Sequence, residues 1–128
     1  MHFNKRFAIL MMAGVVFVLV LAACGGPSYD PELVATGKTK FESTCSACHG
    51  IDLKGLPNLG KNMIESEFIG SQTDEELLAM IKSGRPIGHE LNTTGVDMPP
   101  KGGNPALTDE DIKAIIAYIR TSREQQQQ

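Results

Sequence analysis

The sequence has no tryptophan and few other large side chains from which to build a protein core. Its 128 residues include two Tyr and five Phe. It also has no stretch in which apolar and polar residues alternate for long enough to predict a β-strand. These absences argue against a sheet-based fold, and the length leaves room for one small domain. We therefore expect an all-α protein whose own side chains supply only part of its core.

Positive charge is also scarce. Residues 24–128 carry ten Lys and Arg against fifteen Asp and Glu, which is a formal charge of −5. Binding to nucleic acid requires clustered Lys and Arg that neutralise phosphates, and electrostatic docking on anionic lipid requires the same. We therefore expect no nucleic-acid partner and no purely electrostatic attachment to a membrane.

A 17-residue run without charge, residues 7–23, follows Lys5 and Arg6 near the N-terminus. A basic start, an apolar segment and small residues at its end are typical of an export signal. Cys24 comes directly after Leu-Ala-Ala, which resembles the lipobox of bacterial lipoproteins. The resemblance implies that residues 1–23 are removed as a signal peptide and that Cys24 is lipidated. The alternatives are a chance cysteine beside an ordinary signal peptide, and an uncleaved membrane helix, for which 17 residues is short.

Three later segments have the pattern of amphipathic helices. The first covers about residues 31–42, the second begins with a capping box at Thr73 and ends at Gly84, and the third begins at Thr108. Residues 123–128 form a polar tail, whose last four residues we expect to fray.

Two long loops, residues 50–72 and 85–107, separate these helices and are rich in Gly, Pro and Asn. Structureless loops of this length are uncommon in a small domain. They are explained if they wrap a large apolar cofactor that replaces the missing part of the core. Residues 24–30 form a short linker, and residues 31–122 form the domain.

The motif Cys45-Ser46-Ala47-Cys48-His49 stands at the start of the first loop. Two cysteines three positions apart, followed directly by histidine, are the attachment signature of a c-type haem. The spacing puts the thiols one helical turn apart, so that each can add to one vinyl group of a porphyrin while His49 faces the iron. A thioredoxin-like redox pair would need a βαβ context, and a zinc site would need two further ligands. A structural disulfide remains an alternative.

With this motif the chain resembles a class I cytochrome c over about residues 30–122. The resemblance also rests on Gly37 and Phe41 before the motif, on Met98 followed by two prolines, and on Tyr118 in the last helix. It implies a small all-α fold of three or more helices and long loops around one covalent haem c with its iron. It further implies that the first and last helices cross near the glycine, with aromatic side chains at the contact.

The candidates for the sixth ligand of the iron are Met63, Met80, His89 and Met98. Met80 lies on the apolar face of a helix, where methionine is more often packing than ligand. Met63 could reach the iron only by a tight return of the chain, and His89 is expected to be an exposed loop residue. Met98 is the predicted ligand, because the two prolines after it stiffen its loop.

The fifth ligand, His49, should donate its other ring N–H to a nearby acceptor. In the family this acceptor is a proline carbonyl shortly after the haem motif. Pro57 matches that position, and we predict that its carbonyl has this role.

A haem iron closed by His49 and Met98 has no vacant position for a small-molecule substrate, which predicts single-electron transfer and no enzymatic activity of its own. The short linker favours a fixed subunit of a quinol-oxidising respiratory or photosynthetic membrane complex, similar to the mono-haem subunit of alternative complex III, with other redox subunits as partners. An independent lipid-anchored carrier to an oxidase or reaction centre would share every residue named. A haem enzyme or gas sensor would need the position of Met98 to be empty.

Overall fold

The computed structural model describes residues 28–128, so the expected export signal and Cys24 lie outside the described residues. The helices within this part are α1 Pro31–Thr44, α2 Ser46–His49, α3 Glu67–Ser71, α4 Asp74–Ser83 and α5 Asp109–Gln126, with a 3₁₀ helix over Pro100–Gly103. Between residues 28 and 128 the chain has no β-strand, only two isolated bridges. The predicted all-α fold is confirmed.

The helices α1, α4 and α5 are the three that the sequence predicts. Asp30 caps α1 by accepting hydrogen bonds from two backbone amides of its first turn. Both Thr73 and Thr108 form complete capping boxes, and Gly84 ends α4 with a φ of 70°. The helices α2 and α3 have four and five residues, which is too short for an apolar repeat to reveal them.

The C-terminal tail differs from our expectation of fraying. Helix α5 continues through Gln126, and the Gln127 side chain donates to the carbonyl of Ile64 at 2.6 Å. The last turns are therefore held by a contact with the first long loop, which the polar composition of the tail did not indicate.

Helices α1 and α5 form the main packing contact of the domain. They cross at Gly37, where a Cβ atom would lie 1.8 Å from the carbonyl oxygen of Ala114. Beside the crossing, the rings of Phe41 and Tyr118 lie 5.5 Å apart between centroids and are tilted by 57°. The crossing and its aromatic contact therefore agree with the resemblance.

The core lies between α5, α1 and α4. Helix α5 contributes four isoleucines at the predicted 3–4 spacing, all at most 4% exposed, and Phe41 of α1 is fully buried. The isoleucines are Ile112, Ile115, Ile116 and Ile119. Leu77 and Ile81 complete the core from α4. None of the helices between residues 28 and 128 has the length and apolar character needed to cross a membrane.

Candidate haem site

The three residues of the haem motif lie on one turn that continues α1. The Cys45 amide donates to the carbonyl of Phe41 at 2.8 Å, and the His49 amide donates to the carbonyl of Cys45 at 3.0 Å. Cys45 itself keeps right-handed helical backbone angles between α1 and α2. The two cysteines and the histidine are therefore presented as the sequence spacing predicts, at the end of the best-packed helix pair.

Within the described chain, Cys45 and Cys48 are both free thiols and are half-buried. Burial raises the pKa of the Cys45 thiol to about 11, and the neighbouring Cys48 adds to the increase. A redox-active cysteine needs a lowered pKa, because the thiolate is the nucleophile. Cys45 therefore does not have the lowered pKa of a thioredoxin-like nucleophile, and the two cysteines are not joined in the structural disulfide that was the other alternative.

His49 is oriented by a hydrogen bond from its Nδ1 to the carbonyl oxygen of Lys61, at 3.1 Å. Because a carbonyl can only accept, the proton is on Nδ1 and the lone pair of Nε2 is left for the iron. Burial lowers the pKa of His49, and the hydrogen bond to Lys61 partly opposes this. Both the tautomer and the favoured neutral state suit an imidazole ligand.

The acceptor is thus Lys61, and the prediction that Pro57 has this role is wrong. Pro57 lies exposed in a turn that is closed by hydrogen bonds between Leu56 and Gly60. At Gly60 the backbone passes so close to α2 that a Cβ atom would lie 2.1 Å from the carbonyl oxygen of Cys48. This close approach brings the next residue, Lys61, beside the histidine ring. The glycine was the available sign in the sequence, but only the path of the loop shows which carbonyl reaches the ring.

Met98 lies at the base of the second long loop. Its amide and carbonyl pair with those of Arg85, with N···O distances of 2.9 and 2.7 Å. At Gly84 a Cβ atom would lie 2.3 Å from the carbonyl oxygen of Met98, so the end of α4 also passes directly against this residue. Met98 is half-buried and packs against the same core that Cys45 contacts. Its role as the sixth ligand stays a prediction.

The other candidate ligands lie in the core or in an exposed loop. Met63 belongs to the buried core, with 9% of its surface exposed, and Met80 packs against that core from α4. His89 is exposed, and its Nδ1 accepts a hydrogen bond from the amide of Leu91 at 3.1 Å.

The two long loops fit a large apolar cofactor. They expose several bulky apolar side chains, of which Ile51 is 68% and Ile87 is 58% exposed. These side chains are available to contact a large apolar group. No three His, Cys, Asp or Glu side chains between residues 28 and 128 converge as a metal site of their own. The free thiols, the open Nε2 of His49 and the apolar loops fit a covalently bound haem.

The chain belongs to the cytochrome c family, because the model of that family matches it over residues 34–123. The protein is therefore a class I c-type cytochrome with one covalent haem c and its iron. No solved structure matches the chain.

Individual relatives come from several kinds of bacteria. Cytochrome c-555 of Prosthecochloris aestuarii is 33% identical over 87 residues, covering 67% of this chain and 84% of that protein. Cytochrome c-551 of Bacillus subtilis is 33% identical over 119 residues, covering 84% of this chain and 88% of that protein. The chain is also 31% identical to the cbb3-type cytochrome c oxidase subunit CcoP of Rubrivivax gelatinosus over 93 residues, which are 70% of this chain and 26% of that subunit. This chain is thus similar both to small cytochromes and to one part of a larger oxidase subunit, and it is a mono-haem electron carrier.

Proposed function

We propose that this cytochrome carries single electrons while tethered to a bacterial membrane by lipid on Cys24, and that His49 and Met98 are the residues that would hold its haem iron. The observation that carries the ligand assignment is the hydrogen bond from His49 Nδ1 to Lys61, which leaves Nε2 open. When bound, the haem supplies an iron that alternates between the ferrous and ferric states. A histidine and a methionine together favour a raised reduction potential.

The protein's own residues favour electron transfer over the binding of a substrate at the iron. Lys61 fixes the ring of His49, and the pairing of Arg85 with Met98 fixes the backbone that carries the thioether. If His49 and Met98 both held the haem iron, no position would remain for a substrate, and the ligands would not need to change between oxidation states. A peroxidase-like enzyme or a gas sensor would require the opposite, an open position.

The ligand assignment is tested with Met98→Ala. The wild-type ferric protein should show the weak near-infrared band of methionine-ligated haem. The variant should lose this band, bind carbon monoxide or cyanide, and have a lower reduction potential, because a thioether prefers ferrous iron.

Two methionine variants serve as matched controls. Met63→Ala and Met80→Ala should keep the near-infrared band, while Met63→Ala lowers the free energy of unfolding by about 2–5 kcal/mol because its side chain is in the core. If wild type lacks the band and His89→Ala opens the iron, the ligand is His89 and the assignment of Met98 fails.

Membrane attachment is supported by the lipobox-like sequence before Cys24, and the position of the linker's end limits how far the domain could move from that anchor. The Tyr29 hydroxyl donates to Asp74 at 2.8 Å, so the chain already contacts the domain five residues after Cys24. Five residues span at most about 18 Å. The haem domain would therefore remain close to the outer surface of the membrane, on the periplasmic or extracytoplasmic side.

The tether is tested by the mass of the mature chain and by Cys24→Ala. We expect the mature protein to begin at an acylated Cys24, and the variant to be released as a soluble, haem-loaded domain. An intact mass that retains residues 1–23, or an unmodified Cys24, contradicts the proposal.

Within this proposal the protein is a subunit of a quinol-oxidising membrane complex, as the mono-haem subunit of alternative complex III would be. The short tether favours a fixed position, and the chain is similar to CcoP, which is named as a subunit of a cbb3-type cytochrome c oxidase. The match to cytochrome c-551 covers 88% of that small protein. This similarity to a whole small cytochrome favours the second candidate, an independent lipid-anchored carrier to an oxidase or reaction centre. Extraction in a mild detergent separates the two: a subunit should bring other chains with it, and a carrier should be recovered alone.

A further inference from the structure

The loop that precedes Met98 is closed at its base by two sets of hydrogen bonds, which join the start of the loop to its end. The backbone pair between Arg85 and Met98 joins the two ends. One step further in, the amide of Ile87 donates to the Asp97 carboxylate at 2.6 Å. Residues 85–98 therefore form a loop that leaves the domain and returns at a single point, where Met98 lies.

One side chain holds the interior of this loop. The Nδ2 group of Asn92 donates to the carbonyl oxygens of Val96 at 2.8 Å, Pro86 at 3.2 Å and Arg85 at 3.3 Å. The first acceptor is on the returning half of the loop, and the other two are on the outgoing half. The Asn92 side chain therefore bridges the two halves just above Met98.

The oxygen of the same amide fixes the tip of the loop. Asn92 Oδ1 accepts from the amides of Gly95 at 3.1 Å and Thr94 at 3.2 Å, and from the Thr94 hydroxyl at 3.3 Å. Asn92 is half-buried. If its side-chain amide were removed, water would therefore replace only part of the hydrogen bonds that the neighbouring backbone groups lose. The side chain thus uses both its donor and its acceptor capacity.

A second contact joins this loop to the other side of the haem site. Lys61, whose carbonyl orients His49, donates from Nζ to the carbonyl of Leu91 at 3.0 Å. This residue therefore touches both the fifth ligand and the neighbour of Asn92. The contact is exposed, and one flexible lysine holds it, so we expect it to contribute less than Asn92.

We propose that Asn92 is a positioning residue for the sixth ligand: by holding the loop 85–98 in one conformation, it keeps the sulfur of Met98 on the iron. The proposal rests on the proposed ligation by Met98. Without the Asn92 bridge, the base of the loop could still pair, but the loop above it would gain alternative conformations in which Met98 leaves the iron. The exposed Lys61–Leu91 contact gives a smaller contribution of the same kind.

The test is imidazole binding to the ferric holoprotein, followed in its visible spectrum. Imidazole binds only the fraction of molecules in which Met98 has left the iron, so its apparent affinity rises with that fraction. Asn92→Asp removes the donor group and keeps the acceptor. We expect it to increase the apparent affinity for imidazole at least tenfold, which corresponds to about 1.4 kcal/mol. The near-infrared band should weaken, and the reduction potential should fall.

Three control variants separate positioning from general stability. Asn104→Asp makes the same change in a turn after Met98, where the oxygen accepts from the Ala106 amide, and should change the affinity less than twofold. Gly37→Ala destabilises the domain at the α1–α5 crossing and should also leave the affinity unchanged. Lys61→Met keeps the apolar part of the side chain and should raise the affinity less than threefold.

The outcomes distinguish this proposal from the assignment of Met98. If wild type shows the near-infrared band and Asn92→Asp binds imidazole within twofold of wild type, Asn92 has no positioning role and Met98 remains the ligand. If wild type lacks the band, both proposals fail. If Asn92→Asp does not fold, hydrogen exchange in wild type decides: the amides of Thr94, Gly95 and Met98 should be protected together, and free exchange of the first two overturns the proposal.

Discussion

Gly37 carries the closest contact between the two main helices. A Cβ atom there would lie 1.8 Å from the carbonyl oxygen and 2.4 Å from the carbonyl carbon of Ala114, both of which belong to the backbone of α5. Backbone cannot move aside as the end of a side chain can. Even the smallest substitution must therefore push α1 and α5 apart, and with them the packed pair Phe41–Tyr118.

We predict that Gly37→Ala lowers the free energy of unfolding by about 3 kcal/mol or more, at the upper end of the cost of overpacking. Equilibrium denaturation of the holoprotein in urea measures this value. Gly88→Ala is the matched control, because a Cβ atom at Gly88 has no other atom within 4 Å, and it should change the stability by less than about 0.5 kcal/mol. A loss below about 1 kcal/mol in Gly37→Ala would show that the helices separate easily.

Residues that act through their own side-chain chemistry could be predicted from the sequence, whereas a residue that acts through its backbone could not. Cys45 and His49 follow from a spacing that a helix imposes, and Gly37 and Phe41 follow from the family pattern. The Lys61 carbonyl has no such mark, because any residue has a carbonyl and the path of the loop decides which one reaches His49. The family pattern predicted the carbonyl of Pro57 as the acceptor, but Pro57 lies exposed in the turn.

At the scale of elements, α5 has two kinds of contact, and only one was visible in the sequence. Its isoleucine spacing predicts the buried face correctly. Its polar side chains make the second kind of contact: Arg120 and Arg123 donate to backbone carbonyls of the first long loop. Periodicity identifies an apolar face, but it does not reveal which charged residue at the edge of that face meets unpaired carbonyls.

Arg120 has the larger share of these contacts. Its guanidinium donates to the carbonyls of Ile69 at 2.6 Å and Gln72 at 2.5 Å, and to the Asp74 carboxylate at 3.1 Å. Only 15% of the side chain is exposed. The residue therefore ties α5 to both α3 and the start of α4.

We predict that Arg120→Met lowers the free energy of unfolding by about 3 kcal/mol, because two carbonyls and a carboxylate lose a charged donor at a partly buried site. Arg120→Lys should lose an intermediate amount, since an ammonium cannot make the same fork of hydrogen bonds. Lys113→Met, at an exposed position of the same helix, is the control and should have little effect. Equal stabilities of the Met and Lys variants would contradict the role of the fork.

At the scale of the molecule, the domain combines a helical core with long loops that expose apolar side chains. Helices α1, α4 and α5 build the core, whereas Ile51, Ile87 and Leu91 in the long loops are exposed. The shortage of aromatic residues predicted this division, because a chain with few bulky side chains needs a cofactor to complete its core. The sequence could not predict the route of the loops, which depends on local hydrogen bonds such as those of Asn92.

The linker joins the domain through a defined contact. Tyr29 donates to Asp74 at 2.8 Å, and Asp74 also pairs with Arg120, so the end of the linker, the start of α4 and the edge of α5 meet at one carboxylate. These residues line an open cavity of about 370 Å³. The segment that follows the proposed lipid anchor is therefore attached to the domain by its side chain as well as by the chain itself.

We predict that this contact is visible in the titration of Tyr29. Burial, with the hydrogen bond to Asp74 next, raises the pKa of Tyr29 from 10 to about 12. In the unfolded chain the phenol ionises near pH 10, so its contribution to stability is complete below pH 10 and is lost as the pH rises towards 12. The difference in unfolding free energy between wild type and Tyr29→Phe should therefore shrink over this range.

The pKa of Tyr29 can be measured directly from its ¹³Cζ resonance in a Tyr118→Phe background, where Tyr29 is the remaining tyrosine. Asp74→Asn should move the pKa down, but not fully to 10, because burial remains. A wild-type pKa near 10 would mean that Tyr29 is detached, and the domain would then move more freely on its linker.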